Sequence, residues 1–145
     1  MKISIISDLH LEMKVGRTPS TAYLDAVIKR LEKGDVRLLA GDLTNRWGQD
    51  FHKVMDALSE TANLVFTVSS NHLFYSSSKS IRFINEQICK NWGNQFLDCQ
   101  TKPLKLTNDI SIIGDIGWYN GDSIINKSSH DNARLYNNDY KYIRL

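Results

Sequence analysis

The sequence has little of several features that would mark a special class of protein. It contains only two cysteines, Cys89 and Cys99, and neither lies in a CxxC pair, so the sequence predicts two reduced thiols. A net charge of +2 is too small to indicate nucleic acid or a membrane surface as a partner. No apolar run is long enough for a signal peptide or a membrane-spanning helix. These absences favour a cytoplasmic protein.

What is present is typical of one ordinary globular domain. The chain has 145 residues, of which 41% are hydrophobic and 23% are charged. This length suits a single domain over residues 1–145. Neither G-x-G-x-x-G nor the P-loop pattern occurs, so a plain nucleotide-binding module is the least favoured function. There is no G-x-S-x-G either, and Ser7, Asp8 and His10 are too close in one strand end to form a serine-hydrolase relay.

Strand-like and helix-like patterns alternate over the first two thirds of the chain. Short apolar runs predict strands over Lys2–Ile6, Val36–Ala40 and Asn63–Val68. Apolar residues at helical spacing predict helices over Thr21–Lys33, Asp50–Glu60 and Ser78–Trp92. We expect Gly34 to end the first helix. The alternation predicts right-handed crossovers and a parallel sheet.

The pattern changes after Gly93. Three short segments follow closely on one another, over Gln95–Leu97, Leu104–Thr107 and Ile110–Gly114. Asn108-Asp109 separates the last two, as in a hairpin turn.

Polar residues follow each predicted strand. They are Asp8 and His10, Asp42 and Asn45, Asn71 and His72, and Asp115. Parallel strands end at the same edge of a sheet, where such folds bind their ligands, so we expect these side chains to lie close together. Each residue alone could be a plain turn former, and the convergence is what favours a shared site.

Carboxylate, amide and imidazole groups on one edge are suited to divalent metal ions. A carboxylate can bridge two ions about 3.5–4 Å apart, which is the spacing of two-metal hydrolases. Such ions polarise a phosphoryl oxygen and lower the pKa of bound water. The residues therefore predict a metal-dependent hydrolase.

Three of these motifs, in this order and each after a strand, resemble those of the calcineurin-like metallophosphoesterases. The three motifs here are Asp8-Leu9-His10, Gly41-Asp42 and Asn71-His72. The corresponding family motifs are D-x-H, G-D and G-N-H-[D/E]. The resemblance covers about Met1 to Tyr119. It implies an α/β fold, a metallophosphoesterase-like β-sandwich flanked by helices, of which this chain supplies the amino-terminal β-α-β-α-β portion.

The resemblance also implies roles for these residues. Asp8 and His10 would hold a first divalent ion, Asp42 would bridge two ions, and Asn71 would hold the second. The ions would be Mn, Fe, Zn, Ni or Mg. Asn71 and His72 would contact the phosphate-ester substrate, a monoester or a diester. His72 would not be a ligand but would help the leaving oxygen depart.

Some features depart from the family pattern. Ser70 replaces a glycine, Leu73 replaces an acid, and the later histidine and final G-H-x-H are absent. His52 lies in a predicted helix as a surface residue, and His130 has no G-H-x-H context. An alternative is therefore a catalytically incomplete fragment or subunit, from a truncated, split or degenerate gene. A complementing chain would then carry the missing histidines.

Other residues near these motifs have competing interpretations. Arg46 could hold a substrate phosphate, although a solvated surface charge is the favoured interpretation. Asp115 precedes Trp118 and Tyr119 in a segment similar to one that follows a later strand in some family members. We assign Asp115 no catalytic role and expect the two aromatic residues to pack in the core rather than line a pocket.

Overall fold

Three parallel strands form the centre of the fold. The computed structural model describes residues 1–11, 21–44, 48–75, 79–100 and 102–115. The strands lie side by side in the order β1 (Ile3–Ile6), β2 (Gly34–Leu39) and β3 (Ala62–Thr67). Leu39 is level with Ile6 on one side and with Thr67 on the other, so all three strands end at one edge, here called the carboxyl edge. The predicted parallel sheet is confirmed.

Three helices cover one face of this sheet. They are α1 (Thr21–Arg30), α2 (Gln49–Ser59) and α3 (Ile81–Trp92). The apolar stripe predicted for α2 is buried as a whole, at Phe51, Val54, Met55 and Leu58. These side chains pack with Leu39 and Val65 of the sheet and with Ile84 and Ile88 of α3 in one hydrophobic cluster. In the described part of the chain, no helix has the length and apolar character needed to cross a membrane.

Two helix ends differ from the prediction for local reasons. Helix α1 ends at Arg30 rather than Lys33, and its last turn tightens as the Leu31 amide donates to the Ile28 carbonyl over 3.0 Å. We expected Gly34 to end this helix, but it is instead the first residue of β2. Helix α3 begins at Ile81 because Ser80 caps it, with Oγ accepting from the Phe83 amide over 3.3 Å.

The predicted hairpin forms and covers part of the opposite face of the sheet. Strand β4 (Leu104–Lys105) pairs antiparallel with β5 (Ser111–Ile112). Their apolar residues join a second hydrophobic cluster built on Val36, Phe66 and Leu97. Because residues alternate across a strand, neighbouring positions of β2 and β3 enter the two clusters in turn. The sheet thus has helices on one face and the hairpin on the other.

After β5 the chain passes close to Val68 and Leu97 at Gly114. A Cβ at this position would lie 2.7 Å from Val68 Cγ1 and 2.8 Å from two Leu97 atoms, so only glycine allows this approach. Val68 is the first residue after β3. Gly114 and the exposed Asp115 therefore lie near the carboxyl edge.

A buried arginine forms hydrogen bonds at the opposite edge of the sheet, where the strands begin. The side chain of Arg37 is only 1% exposed, and its Nη2 donates to the Glu32 and Thr61 carbonyls over 2.8 and 3.0 Å. Burial lowers the pKa of Arg37, because removal from water disfavours the charged form. The contacts join the segments that enter β2 and β3.

The two cysteines form a disulfide, so the prediction of two reduced thiols is wrong. Cys89 of α3 is bonded to Cys99, which lies in the short 3-10 helix Leu97–Cys99. The turn after α3 brings their Cα atoms to 5.7 Å, a separation that a disulfide can bridge. Disulfides persist mainly in oxidising compartments. The cytoplasmic location stays a prediction, which this bond does not support.

Candidate metal centre

The loop that follows β1 runs along the loop that follows β2. Three backbone amides donate to three carbonyls across them: Asp8 to Gly41 (3.3 Å), His10 to Asp42 (2.9 Å) and Leu11 to Leu43 (3.1 Å). The side chains of Leu11 and Leu43 are buried in the main core and anchor both loops from below. The parallel register thus continues beyond the strands and places His10 beside Asp42.

The backbone at this edge is held in an uncommon conformation. Asp8, His10 and Asp42 have φ angles of 55°, 42° and 49°, and no other non-glycine residue in the described ranges has a positive φ. The left-handed region is disfavoured for residues with a Cβ, although Asp and His enter it more readily than most. Such conformations persist where the surroundings enforce them, and they cluster at binding and catalytic sites.

The side chains of these three residues form one polar group. His10 Nε2 lies 3.9 Å from Asp8 Oδ1 and 4.0 Å from Asp42 Oδ2. Both distances are too long for hydrogen bonds. The Asp42 Oδ1 atom is buried and has no hydrogen-bond partner in the described part of the chain. A buried carboxylate oxygen is costly unless something pairs with it, and a divalent cation would do so. The donor set therefore fits a metal ion.

The third loop brings His72 to the same place. A short 3-10 helix, Asn71–Phe74, follows β3. The His72 ring meets the His10 ring edge-on, with 4.7 Å between ring centroids. His10, Asp42 and His72 each offer one ligand atom, and these three atoms lie within 4.8 Å of one another. Groups from three separate loops therefore meet in a space that a metal ion could occupy.

The loops that follow β2 and β3 approach each other closely at Gly41 and Ser70. Gly41 has a φ of 85°, and a Cβ placed on it would lie 3.2 Å from Ser70 Cβ. The β2 and β3 loops therefore touch at this point. The Ser70 side chain fits because Gly41, which faces it from the other loop, has no side chain.

Comparison of the sequence with models of known families gives one match. The family model for calcineurin-like phosphoesterases matches residues 1–143. This chain belongs to the calcineurin-like phosphoesterase family. The resemblance carried by the D-x-H, G-D and N-H motifs is therefore confirmed. No curated protein matches the sequence.

A solved structure has a similar fold over nearly the whole of this chain. The chain is similar to the crystal structure of a phosphopantetheinyl hydrolase from Mycobacterium tuberculosis, with a TM-score of 0.69 and 16% identity. The match covers 99% of this chain and 55% of the hydrolase chain, so this chain spans about half the length of that structure. At this identity the likeness supports the fold alone. The predicted α/β fold of a metallophosphoesterase amino-terminal portion is confirmed.

The structure places the other candidate residues as follows. Asn71 lies at the carboxyl edge as the first residue of its 3-10 helix, and its Nδ2 donates to the Tyr75 hydroxyl over 3.3 Å. Asp115 is exposed after the hairpin. The remaining candidates lie outside the described residues: Asn45, Arg46, Trp118, Tyr119 and His130.

The prediction that His52 is a surface residue is wrong. His52 lies in α2 as expected, but it is half-buried against α3. Its Nδ1 accepts a hydrogen bond from Trp92 Nε1 over 2.9 Å, and the two rings stack at a centroid distance of 5.9 Å. His52 therefore holds two helices together and is separate from the histidines of the carboxyl edge.

Sequence reasoning missed Tyr75. Its ring stacks on His72 at a centroid distance of 4.5 Å and an interplanar angle of 26°. The signal was available in the spacing, because Tyr75 follows His72 by three residues and Asn71 by four. In a single tight helical turn this spacing brings side chains together, but the sequence did not show that a helical turn follows β3.

Proposed function

We propose that this chain carries the dinuclear metal site of a phosphoesterase that hydrolyses phosphomonoester or phosphodiester bonds. One observation supports this most strongly. Asp42 lies between the β1 and β3 loops and has a buried carboxylate oxygen with no hydrogen-bond partner in the described part of the chain. A group at this place is suited to bind the cations that phosphate chemistry requires.

The chain's own residues would divide the binding of two ions. Asp8 and His10 would hold the first ion, Asp42 would contact both, and Asn71 would hold the second. The ions would be Mn, Fe, Zn, Ni or Mg. Once bound, they would polarise a phosphoryl oxygen and lower the pKa of a water molecule. Asn71 and His72 would also contact the phosphate of the substrate.

His72 would assist the leaving group. Its half-buried imidazole lies beside His10 at the rim of the polar group and could hold a proton for the departing oxygen. The same ring is also close enough to His10 and Asp42 to ligate an ion. We favour the first role because the family resemblance assigns ion binding to Asn71. The two roles predict different results for the His72→Ala variant.

A second candidate is a catalytically incomplete fragment or subunit of such an enzyme. Asp8, His10, Asp42 and Asn71 give four protein ligands for two ions, whereas each ion prefers about four or more. The chain also covers only 55% of the related hydrolase chain. Under this candidate the missing histidines would come from a complementing chain, and this chain alone would bind metal weakly.

Hydrolysis of bis(p-nitrophenyl) phosphate with added Mn²⁺ tests the proposal. We expect release of p-nitrophenolate that requires Mn²⁺, stops with EDTA and falls to background in the Asp42→Asn variant. Activity that is unchanged in that variant would contradict the proposal. Mn²⁺ binding measured by calorimetry separates the two candidates. Tight binding of two ions excludes the incomplete subunit, whereas weak binding of one ion without turnover favours it.

A further inference from the structure

Tyr75 links the hydrophobic core to two residues of the candidate metal centre. Its ring packs against the main core cluster, and the Tyr75 amide donates to the His72 carbonyl over 3.1 Å. From this position the ring stacks on the His72 ring and the hydroxyl accepts a hydrogen bond from Asn71 Nδ2. A single side chain therefore contacts both polar residues of the third loop.

The hydrogen bond to Tyr75 involves the nitrogen of the Asn71 carboxamide. An amide binds a metal ion through its oxygen, whereas its nitrogen can only donate. Because the nitrogen of Asn71 donates to the Tyr75 hydroxyl, the oxygen lies on the other branch of the carboxamide. The contact thus holds the nitrogen branch of the carboxamide at the Tyr75 hydroxyl and restricts rotation of the Asn71 side chain.

The stacked ring limits the orientation of His72. In other members an acid follows the histidine, but here that position is Leu73, which is 2% exposed and packs in the core. Leu73 cannot accept a hydrogen bond. The Tyr75 ring lies nearly parallel to the imidazole at 4.5 Å and covers one of its faces, while His10 contacts it from a different direction. Between them, these two rings restrict rotation of the imidazole.

We propose that Tyr75 is the positioning residue of this site, orienting Asn71 through its hydroxyl and His72 through its ring. The role rests on the proposed phosphoesterase function. The two contacts are separable by substitution. Tyr75→Phe keeps the ring and removes the acceptor, whereas Tyr75→Leu removes both.

NMR spectra of the metal-free protein in EDTA test the two contacts directly. In Tyr75→Phe the side-chain amide resonances of Asn71 should shift, because their acceptor is lost, while the ring protons of His72 stay near their wild-type positions. In Tyr75→Leu the His72 ring protons should shift as well, because the aromatic ring current is lost. Unchanged Asn71 amide resonances in Tyr75→Phe would overturn the proposal.

Mn²⁺ affinity tests whether the positioning matters for binding. Partners that orient a ligand typically contribute about 10–100-fold in metal affinity. We expect Tyr75→Phe to weaken Mn²⁺ binding about 10-fold and to have no further effect in an Asn71→Ala background, because the hydroxyl acts through Asn71. A residue that only seals the core would lower the melting temperature without this loss. Tyr23→Phe, which removes a hydroxyl from α1, is the matched control.

The two measurements distinguish this proposal from the proposed function. Wild-type protein that neither binds Mn²⁺ nor hydrolyses the diester would contradict the function, yet the EDTA spectra would still decide whether Tyr75 orients Asn71 and His72. Wild-type protein that binds Mn²⁺ with unchanged affinity in Tyr75→Phe would overturn the positioning role alone. If Tyr75→Leu does not fold, the Tyr75→Phe arm remains decisive.

Discussion

The Asp42→Asn variant should be more stable than the wild type without metal and should bind Mn²⁺ far more weakly. Asparagine keeps the shape of the side chain and tolerates the positive φ of 49° at this position. It removes a charge whose Oδ1 atom is buried with no partner in the described part of the chain. Asparagine keeps a polar atom at this place but loses the charge, and this loss should raise the free energy of unfolding by about 1 kcal/mol. Thermal unfolding in EDTA measures this gain.

The loss of affinity should be the larger effect. Residues that only orient a metal ligand contribute about 10–100-fold, so loss of the Asp42 carboxylate, a proposed direct ligand, should weaken Mn²⁺ binding by about 100-fold or more. Asp56→Asn, an exposed position on α2, makes the same chemical change away from the site and should alter neither quantity. If Asp42→Asn were less stable in EDTA and bound Mn²⁺ as tightly as the wild type, Asp42 would be a structural residue.

The His72→Ala variant should lose rate in a way that depends on the leaving group. A side chain that holds a proton for a departing oxygen contributes about 10²–10⁴-fold where the leaving group is poor. We therefore expect a loss of that order for diphenyl phosphate. The loss should be much smaller for bis(p-nitrophenyl) phosphate, because p-nitrophenolate departs without a proton. Steady-state rates with the two diesters measure the difference.

Mn²⁺ affinity then separates the two roles considered for His72. If His72 assists departure and is not a ligand, the His72→Ala variant should keep its Mn²⁺ affinity within a few-fold. A large fall in affinity, with equal rate losses for both diesters, would instead make His72 a ligand together with His10 and Asp42. His52→Ala is the matched control, since it also removes an imidazole stacked on an aromatic ring, that of Trp92.

Much of the fold could be predicted because its patterns are local. Each strand is a short apolar run, and the α2 stripe of Phe51, Val54, Met55 and Leu58 repeats at helical spacing and is buried as expected. Strand–helix alternation then favours a parallel sheet with a single handedness. The carboxyl edge follows from that topology. This is why the convergence of Asp8, His10 and Asp42 could be expected before any coordinates.

What the sequence could not show depends on contacts between distant segments. The Cys89–Cys99 disulfide requires the turn after α3 to bring two elements together, and cysteine spacing alone does not reveal that turn. His52 has a surface-like neighbourhood in the sequence, but Trp92, forty residues away, provides its partner. Gly34 is typical of a helix end, yet pairing with Ala62 places it in β2. In each case tertiary structure overrides a local signal.

We propose above all that a metal ion binds where the three parallel strands end. Paramagnetic line broadening by substoichiometric Mn²⁺, measured on backbone amide resonances, tests it directly, because only residues near the ion broaden. The six residues of β2 or β3 separate the two edges of the sheet by about 20 Å. We expect early loss of the Asp8, His10 and Asp42 signals, while the signals of Gly34 and Ala62 stay sharp. Broadening centred on another surface, or sharp signals throughout, would contradict it.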